Sequence, residues 1–330
     1  MKKEIYILES RLADPRFSQL CFVKNYRSVT GRKSLYDDFD LEPIGELNAK
    51  PQRLAKDWKA PKVVGAKPFN DCPWLELLIP AFSGRAARVL AEFLEPNGEL
   101  LPLDSDVGEF YAYNVLTMSD ALDLKKSVFE WHEDEFAFKK QAAVVERFEF
   151  IASKLKGLTI FRERYRDVEV LVSTEFKERV ELAGLNGFRF VKVWPLPEGE
   201  SWHENDVTER KKMRKSVEKL SGEAFIIRLR HEGTKASPEE GRRFKKICNE
   251  LDKLMDSQKS LDSTYYGNIE TPEVVKSDSR VFFTCPDAEK LHAYLKPYLE
   301  QIDWPNEVDI VLRAGNLYDR KAKERRIKIK

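Results

Sequence analysis

Glycine, cysteine and histidine are all scarce in this chain, and each scarcity removes a class of chemistry. Fifteen glycines are scattered through 330 residues, with no GxGxxG or GxxxxGK[ST] loop to cradle a phosphate and no GxSxG turn to present a serine. The common nucleotide-dependent and acyl-transfer enzymes therefore lose their signature. The four histidines, His132, His203, His231 and His292, have no i, i+4 or HExxH spacing, which leaves metal binding only to distant convergence. The four cysteines, Cys21, Cys72, Cys248 and Cys285, form no CxxC pair and read as reduced packing residues. No apolar run approaches the roughly 18 residues of a membrane span, and MKKEIYILES lacks the apolar centre of a signal peptide. A cytoplasmic protein without membrane association is expected.

Present instead are 42% hydrophobic, 34% charged and 11% aromatic residues, the composition of a globular protein with a packed interior. The length suits two domains. A formal charge of +1 conceals opposite poles. Residues 95–138 hold eleven Asp or Glu against Lys125 and Lys126, a net of −9, whereas Arg320 to Lys330 hold seven basic residues against Glu324, a net of +6. Such poles govern association and its salt dependence.

Along the chain, Ile5 to Leu8 and Cys21 to Val23 read as short strands, and the prolines from Pro43 to Pro80 predict extended or turning backbone. Ser83 can cap a helix bearing Ala86, Val89, Leu90 and Phe93, stopped by Pro96-Asn97-Gly98. Phe110 to Leu116 reads as a strand. Leu158 to Phe161 and the alternating Val168, Val170 and Val172 predict two half-buried strands. Ser173 or Thr174 then caps a helix that turns Phe176, Val180 and Leu182 or Ala183 inward and ends at Gly184, before a strand from Gly187-Phe188. Strand, strand, helix, strand is an α+β signature.

Residues 196–222 read as a linker with a short polar helix, KKMRKSVEK. Beyond it, strands at Phe225 to Leu229, Tyr265 to Ile269, Val281 to Thr284 and Val308 to Leu312 enclose helices at Ser237 to Met255 and Asp287 to Gln301. This β-α-β-β-α-β order predicts a split βαβ, ferredoxin-like module over 223–330.

Carboxylate pairs such as Asp104 with Asp106, or Asp120 with Asp123, are too abundant to mark an acid and base, and a solvated face accounts for them. His132 sits in Glu130-Trp131-His132-Glu133-Asp134-Glu135, which reads as an exposed acidic loop. Ser83-Gly84-Arg85 reads as an ordinary N-cap rather than a phosphate site. The basic tail invites a nucleic-acid reading, yet the strands lack an RNP-like run, and adjacent Phe282 and Phe283 must face opposite sides of a sheet. A frayed cationic terminus is the plainer account.

Four segments carry a family resemblance: Tyr113-Asn114-Val115 followed by Ala121-Leu122-Asp123 and Ser127; Ile160-Phe161-Arg162; Val170-Leu171-Val172-Ser173 leading to Phe176-Lys177; and Gly184-Leu185-Asn186-Gly187-Phe188-Arg189-Phe190. Together they resemble the immunity-protein family numbered eleven among those encoded beside bacterial polymorphic toxins. The resemblance spans roughly 80–195, with the helix over Ala86 to Leu94 included, and these residues look like fold markers. It implies an immunity-type α+β domain over 1–195 that blocks a cognate secreted toxin domain by direct contact, without catalysis, cofactor or metal. A tight complex needs aromatic anchors within a charged rim. Asp104, Asp106, Glu109, Phe110, Tyr111, Phe129, Trp131, Glu133 and Asp134 supply those types and become the candidate toxin-contact set. Their acidity would suit a basic substrate face, as on a nuclease. The alternative is a nucleic-acid-associated regulator acting through the C-terminal module and its tail.

Overall fold

The computed structural model describes residues 3–22, 51–65, 67–75, 79–131, 142–233, 235–256, 265–275, 277–304 and 306–329. The fold is mixed α+β, with several sheets and few helices. Two compact units emerge, the first drawn from Met1–Leu12, Phe17–Ala66 and Asn70–Lys211, the second from Ala13–Arg16, Lys67–Phe69 and Lys212–Lys330.

The first unit begins with β1 (Ile5–Ser10), β2 (Cys21–Phe22), β3 (Lys62–Val64) and β4 (Ala81–Ser83), followed by helices α1 (Gly84–Val89) and α2 (Ala91–Leu94). Next come β5 (Gly98–Ser105), β6 (Phe110–Val115), β7 (Met118–Ser119), β8 (Val128–Trp131) and β9 (Ala142–Arg147). After these lie β10 (Ile160–Glu163), β11 (Arg166–Ser173), α3 (Thr174–Leu182), β12 (Phe188–Trp194) and α4 (Trp202–Val217), whose residues from Lys212 onward are counted with the second unit. One sheet runs β12-β1-β11-β10-β7, a second β2-β3-β5-β6-β4, and β8 pairs with β9 alone.

The β12-β1-β11-β10-β7 sheet is buried on both faces, which corrects the expectation of half-buried strands. Ile160, Val170 and Val172 join Phe82, Tyr113, Phe176 and Phe188 in one cluster, whereas Phe161, Leu171, Val191 and Val193 join Val145, Phe148 and Phe150 in another. All of β10 is buried, because alternate residues meet different cores. Fully burying one such ring is worth roughly 1.5–3 kcal/mol.

Helix α3 forms as its spacing predicts, with Phe176 and Val180 buried. Ala183, not Leu182, packs inward, and Leu182 remains 87% exposed. The helix read across Ala86 to Phe93 is broken at Leu90 into α1 and α2. Strand β5 was not expected from GELLPLDS, since Pro102 interrupts its pattern; the strand tolerates it opposite Tyr111. The polar helix after Pro197 is sixteen residues long rather than short. It does not merely link: Trp202 packs on the cluster around Phe148.

In the second unit, β13 (Glu223–Arg230), α5 (Pro238–Asp256), β14 (Asn268–Ile269), β15 (Glu273–Val274), β16 (Asp278–Cys285), α6 (Ala288–Leu299), β17 (Val308–Ala314) and β18 (Lys323–Lys328) follow in order. The sheet runs β14-β16-β13-β17-β18, all antiparallel, with β15 also on β16. Phe225, Ile227, Phe283, Leu251, Leu291 and Leu295 belong to the core between sheet and helices. The tail corrects the reading of a frayed terminus. Six of its residues form β18, in register from Lys323 opposite Ala314 to Lys328 opposite Asp309, because hydrogen bonds to β17 outweigh the mutual repulsion of exposed cations. None of the four cysteines is in a disulfide, and no described helix is long and apolar enough to cross a membrane.

Candidate functional site

The β5–β6 hairpin carries most of the candidate contact residues. Its register sets Leu103 opposite Phe110 and Leu101 opposite Ala112, so Leu101, Leu103, Phe110 and Ala112 enter one core cluster. Phe110 is thus a packing residue, 3% exposed, and its ring is not part of the surface. Asp104, Asp106 and Glu109 project to solvent around the tip, with Tyr111 half-buried beside them.

These acids are partly matched. Lys62 Nζ stands 3.4 Å from Asp106, and Arg88 donates to Glu109 Oε2 at 2.9 Å. The Tyr111 hydroxyl donates to the other Glu109 oxygen. That hydrogen bond, helped by Arg88, holds the Glu109 carboxyl below its usual range, and the same bond raises the Tyr111 phenol. Glu109 fits there because residue 84 is glycine: a Cβ at Gly84 would lie 2.1 Å from Glu109 Oε2.

The Ser83-Gly84-Arg85 turn is an N-cap, as its sequence suggested. Ser83 Oγ accepts from Ala86 N at 3.1 Å and donates to buried Asp71 at 2.6 Å. Asp71 also accepts from Asn186 N at 2.9 Å, tying the helix start to the turn before β12.

Phe129 and Trp131 lie apart from the hairpin, on the two-stranded β8–β9 sheet. Their rings meet edge-on at 4.5 Å, Trp131 meets Tyr165 at 6.1 Å, and both pack against the cluster around Phe148. Half-buried and turned to a core, they support the strand pair more than they offer anchors. Glu133 and Asp134, with His132, lie outside the described residues. The nine candidates are therefore divided: four around the hairpin tip, one in the core, two on β8 and two undescribed. Of the carboxylate pairs, Asp120 meets Lys154 at 2.8 Å and Asp123 accepts from Lys125 N at 3.1 Å, the arrangement of a solvated loop.

Two polar features escaped the sequence reading. Arg189, 8% exposed, reaches both Glu9 and Asp206, and Arg210 bonds the same two carboxylates at 2.7 and 2.9 Å. Burial works against the charge of Asp206, but the two guanidinium hydrogen bonds prevail and its pKa falls. Glu163 is fully buried at the end of β10. Desolvation raises its carboxyl to about 7 despite hydrogen bonds from Ser119, Leu122 N and Arg164 N. Parity was the available signal: Arg189 shares a strand face with Val191 and Val193, and Glu163 shares one with Phe161.

The resemblance segments occupy packing and turn positions. Tyr113 is buried and donates to Leu94 O at 2.8 Å; buried Asn114 donates to Gln52 O and Glu99 Oε2 at 2.8 and 3.1 Å. Ser127 and Glu149 exchange hydrogen bonds at 3.1 and 3.0 Å. Gly187, at φ +87°, leaves room for Asn70 Oδ1, which a Cβ would approach to 2.0 Å. Within this fold, residues 102–194 match the model of the immunity protein family Imm11. The match confirms the resemblance and lies within its expected span, beginning after α2. No curated protein matches the chain.

Proposed function

We propose that this protein neutralises a cognate bacterial toxin domain by direct, non-catalytic contact in the cytoplasm. The observation that carries this reading is the family match over residues 102–194. On this proposal residues 1–195 form the immunity-type domain, 196–222 the connection and 223–330 a split βαβ, ferredoxin-like module. The strand order β14-β16-β13-β17 supports the last assignment, with β18 appended.

The contacts proposed are Asp104, Asp106 and Glu109 with Tyr111 at the acidic hairpin tip, together with Glu133 and Asp134 from the candidate set. Its ion pairs to Lys62 and Arg88 are exposed, and such pairs hold by only about 0–1 kcal/mol. A basic toxin face can displace them cheaply, as the phosphate-binding surface of a nuclease would. Complementary charge would also speed encounter at low salt.

The test begins with the reading frame beside this one. Co-expression of its toxin domain with the full-length protein is expected to restore growth, and calorimetry to show a one-to-one complex. Failure of both rejects the proposal. Replacing Asp104, Asp106, Glu133 and Asp134 by Lys is expected to weaken binding by at least tenfold; unchanged affinity rejects this face while leaving the function standing.

A further inference from the structure

The sheet of the second unit turns one face to its helices and the other to a concavity of 590 Å³. Register places Phe282, Ile226 and Val311 side by side on that open face, ending at Arg326 of β18. The neighbouring row on one side runs Arg280, Arg228, Asp309 and Lys328; on the other, Arg313 stands between Ala224 and Glu324. An apolar stripe about 10 Å across three strands is thus flanked by arginines on both sides. The tail strand completes it, since Arg326 and Lys328 reach this face only because β18 pairs with β17.

Buried carboxylates hold the arginines in place. Asp278, fully enclosed, receives Arg228 and, at 2.7 Å, Arg280, while buried Asp309 stands 3.3 Å from Arg230. A guanidinium has five N–H donors, so each retains donors for a ligand. Glu324 lies 3.6 Å from Arg313 and 3.5 Å from Arg326, and Glu270 and Glu273 complete the acidic part of the lining. Four guanidiniums, Arg228, Arg280, Arg313 and Arg326, line the concavity beside Glu270, Glu273 and Glu324, with Asp278 and Asp309 buried beneath them.

We propose that this open face binds single-stranded nucleic acid, with bases on the Phe282 row and phosphates on the flanking arginines. An aromatic ring set in a flat apolar floor between guanidiniums suits the π-face of a base, which an acidic peptide lacks and a duplex keeps covered. Tyr318, 90% exposed at the rim, offers a second ring. The assignment does not depend on the toxin reading, which uses the other unit.

Fluorescence polarisation of the full chain with a labelled oligouridylate of about a dozen nucleotides tests it, over roughly 50 to 200 mM salt. Binding is expected to weaken with salt. Phe282→Ala is expected to reduce affinity about tenfold with the salt slope unchanged, and Arg326→Ala to lower that slope by about 0.7. Phe282→Leu, which removes the ring and keeps an apolar side chain, serves if the alanine variant fails to melt cooperatively. No binding at the lowest salt overturns the proposal. So does equal affinity without the ring, or displacement of the oligonucleotide by an equal concentration of polyglutamate, which would mark a generic anion surface.

Discussion

Glu163 shows how one enclosed carboxyl ties stability to pH. Its folded pKa of about 7 lies above the ordinary carboxylate value of 4.5. The stability belonging to its protonated form is complete below the unfolded pKa and is lost as pH rises through 7. The loss amounts to up to about 3 kcal/mol. Thermal melting is expected to show a Tm that falls between about pH 4.5 and 7 and then levels off, with Glu163→Gln removing most of that dependence; parallel curves would refute it. Arg189 works in the opposite sense, because its removal would leave Glu9 and Asp206 sharing Arg210 alone. Arg189→Met should cost about 2–4 kcal/mol in urea denaturation, since uncovering carboxylates beside a core is costly. Both residues carry a charge at the apolar parity of a strand. Parity along each strand would have marked their positions, but the groups that receive them, Asp206 on a later helix and Ser119 on another strand, leave no local signal.

Elements form where local chemistry is strong. The stretch Ser237 to Glu240 is a capping box: Glu240 N donates to Ser237 Oγ at 3.2 Å, and Ser237 N to the Glu240 carboxylate at 2.6 Å. The bond from Ser237 N foremost, with others from the Ser237 side chain, Glu232 N and Asn306, lowers the Glu240 carboxyl to about 2. Helix α5 was accordingly placed within a residue of its observed span. Ser237→Ala should destabilise the second unit by about 1 kcal/mol, read from chemical denaturation. Gly187→Ala should cost more, about 2 kcal/mol or above, because both φ +87° and the contact with Asn70 oppose a Cβ. A cost below about 0.5 kcal/mol would show that the turn before β12 can yield. Strands β5, β8 and β18 were less legible. Pro102 in β5 and the basic run of β18 disfavour a strand locally, and the acids that follow β8 mask it; cross-strand pairing formed all three.

For the whole molecule, separate cores imply separable effects. Leu291→Ala in the second unit, where the side chain is fully buried, should lower stability by about 2–5 kcal/mol. On the proposed division of labour, it should leave toxin affinity unchanged at temperatures where the chain remains folded. Calorimetry beside denaturation checks both, and a matched fall in affinity would mean that the second unit takes part in the contact. Charge distribution was readable at this scale as two poles, but their forms were not. Part of the acidic pole becomes a hairpin tip, where Asp106 faces Lys62 and Glu109 faces Arg88, and the basic pole becomes a sheet edge.

The sequence by itself determined the periodic helices, the main strands that flank them after Gly222 and the family resemblance that the match over 102–194 bears out. Those features depend on neighbours a few residues apart, where side-chain period and capping chemistry suffice. Only the tertiary structure decided that Phe110 is core, that Phe129 and Trp131 belong to a strand pair separate from the β5–β6 hairpin, and that the tail pairs with β17 in the sheet that carries Phe282. Each of these follows from pairing or packing between residues distant along the chain. No local pattern encodes which distant strand or core will receive a side chain.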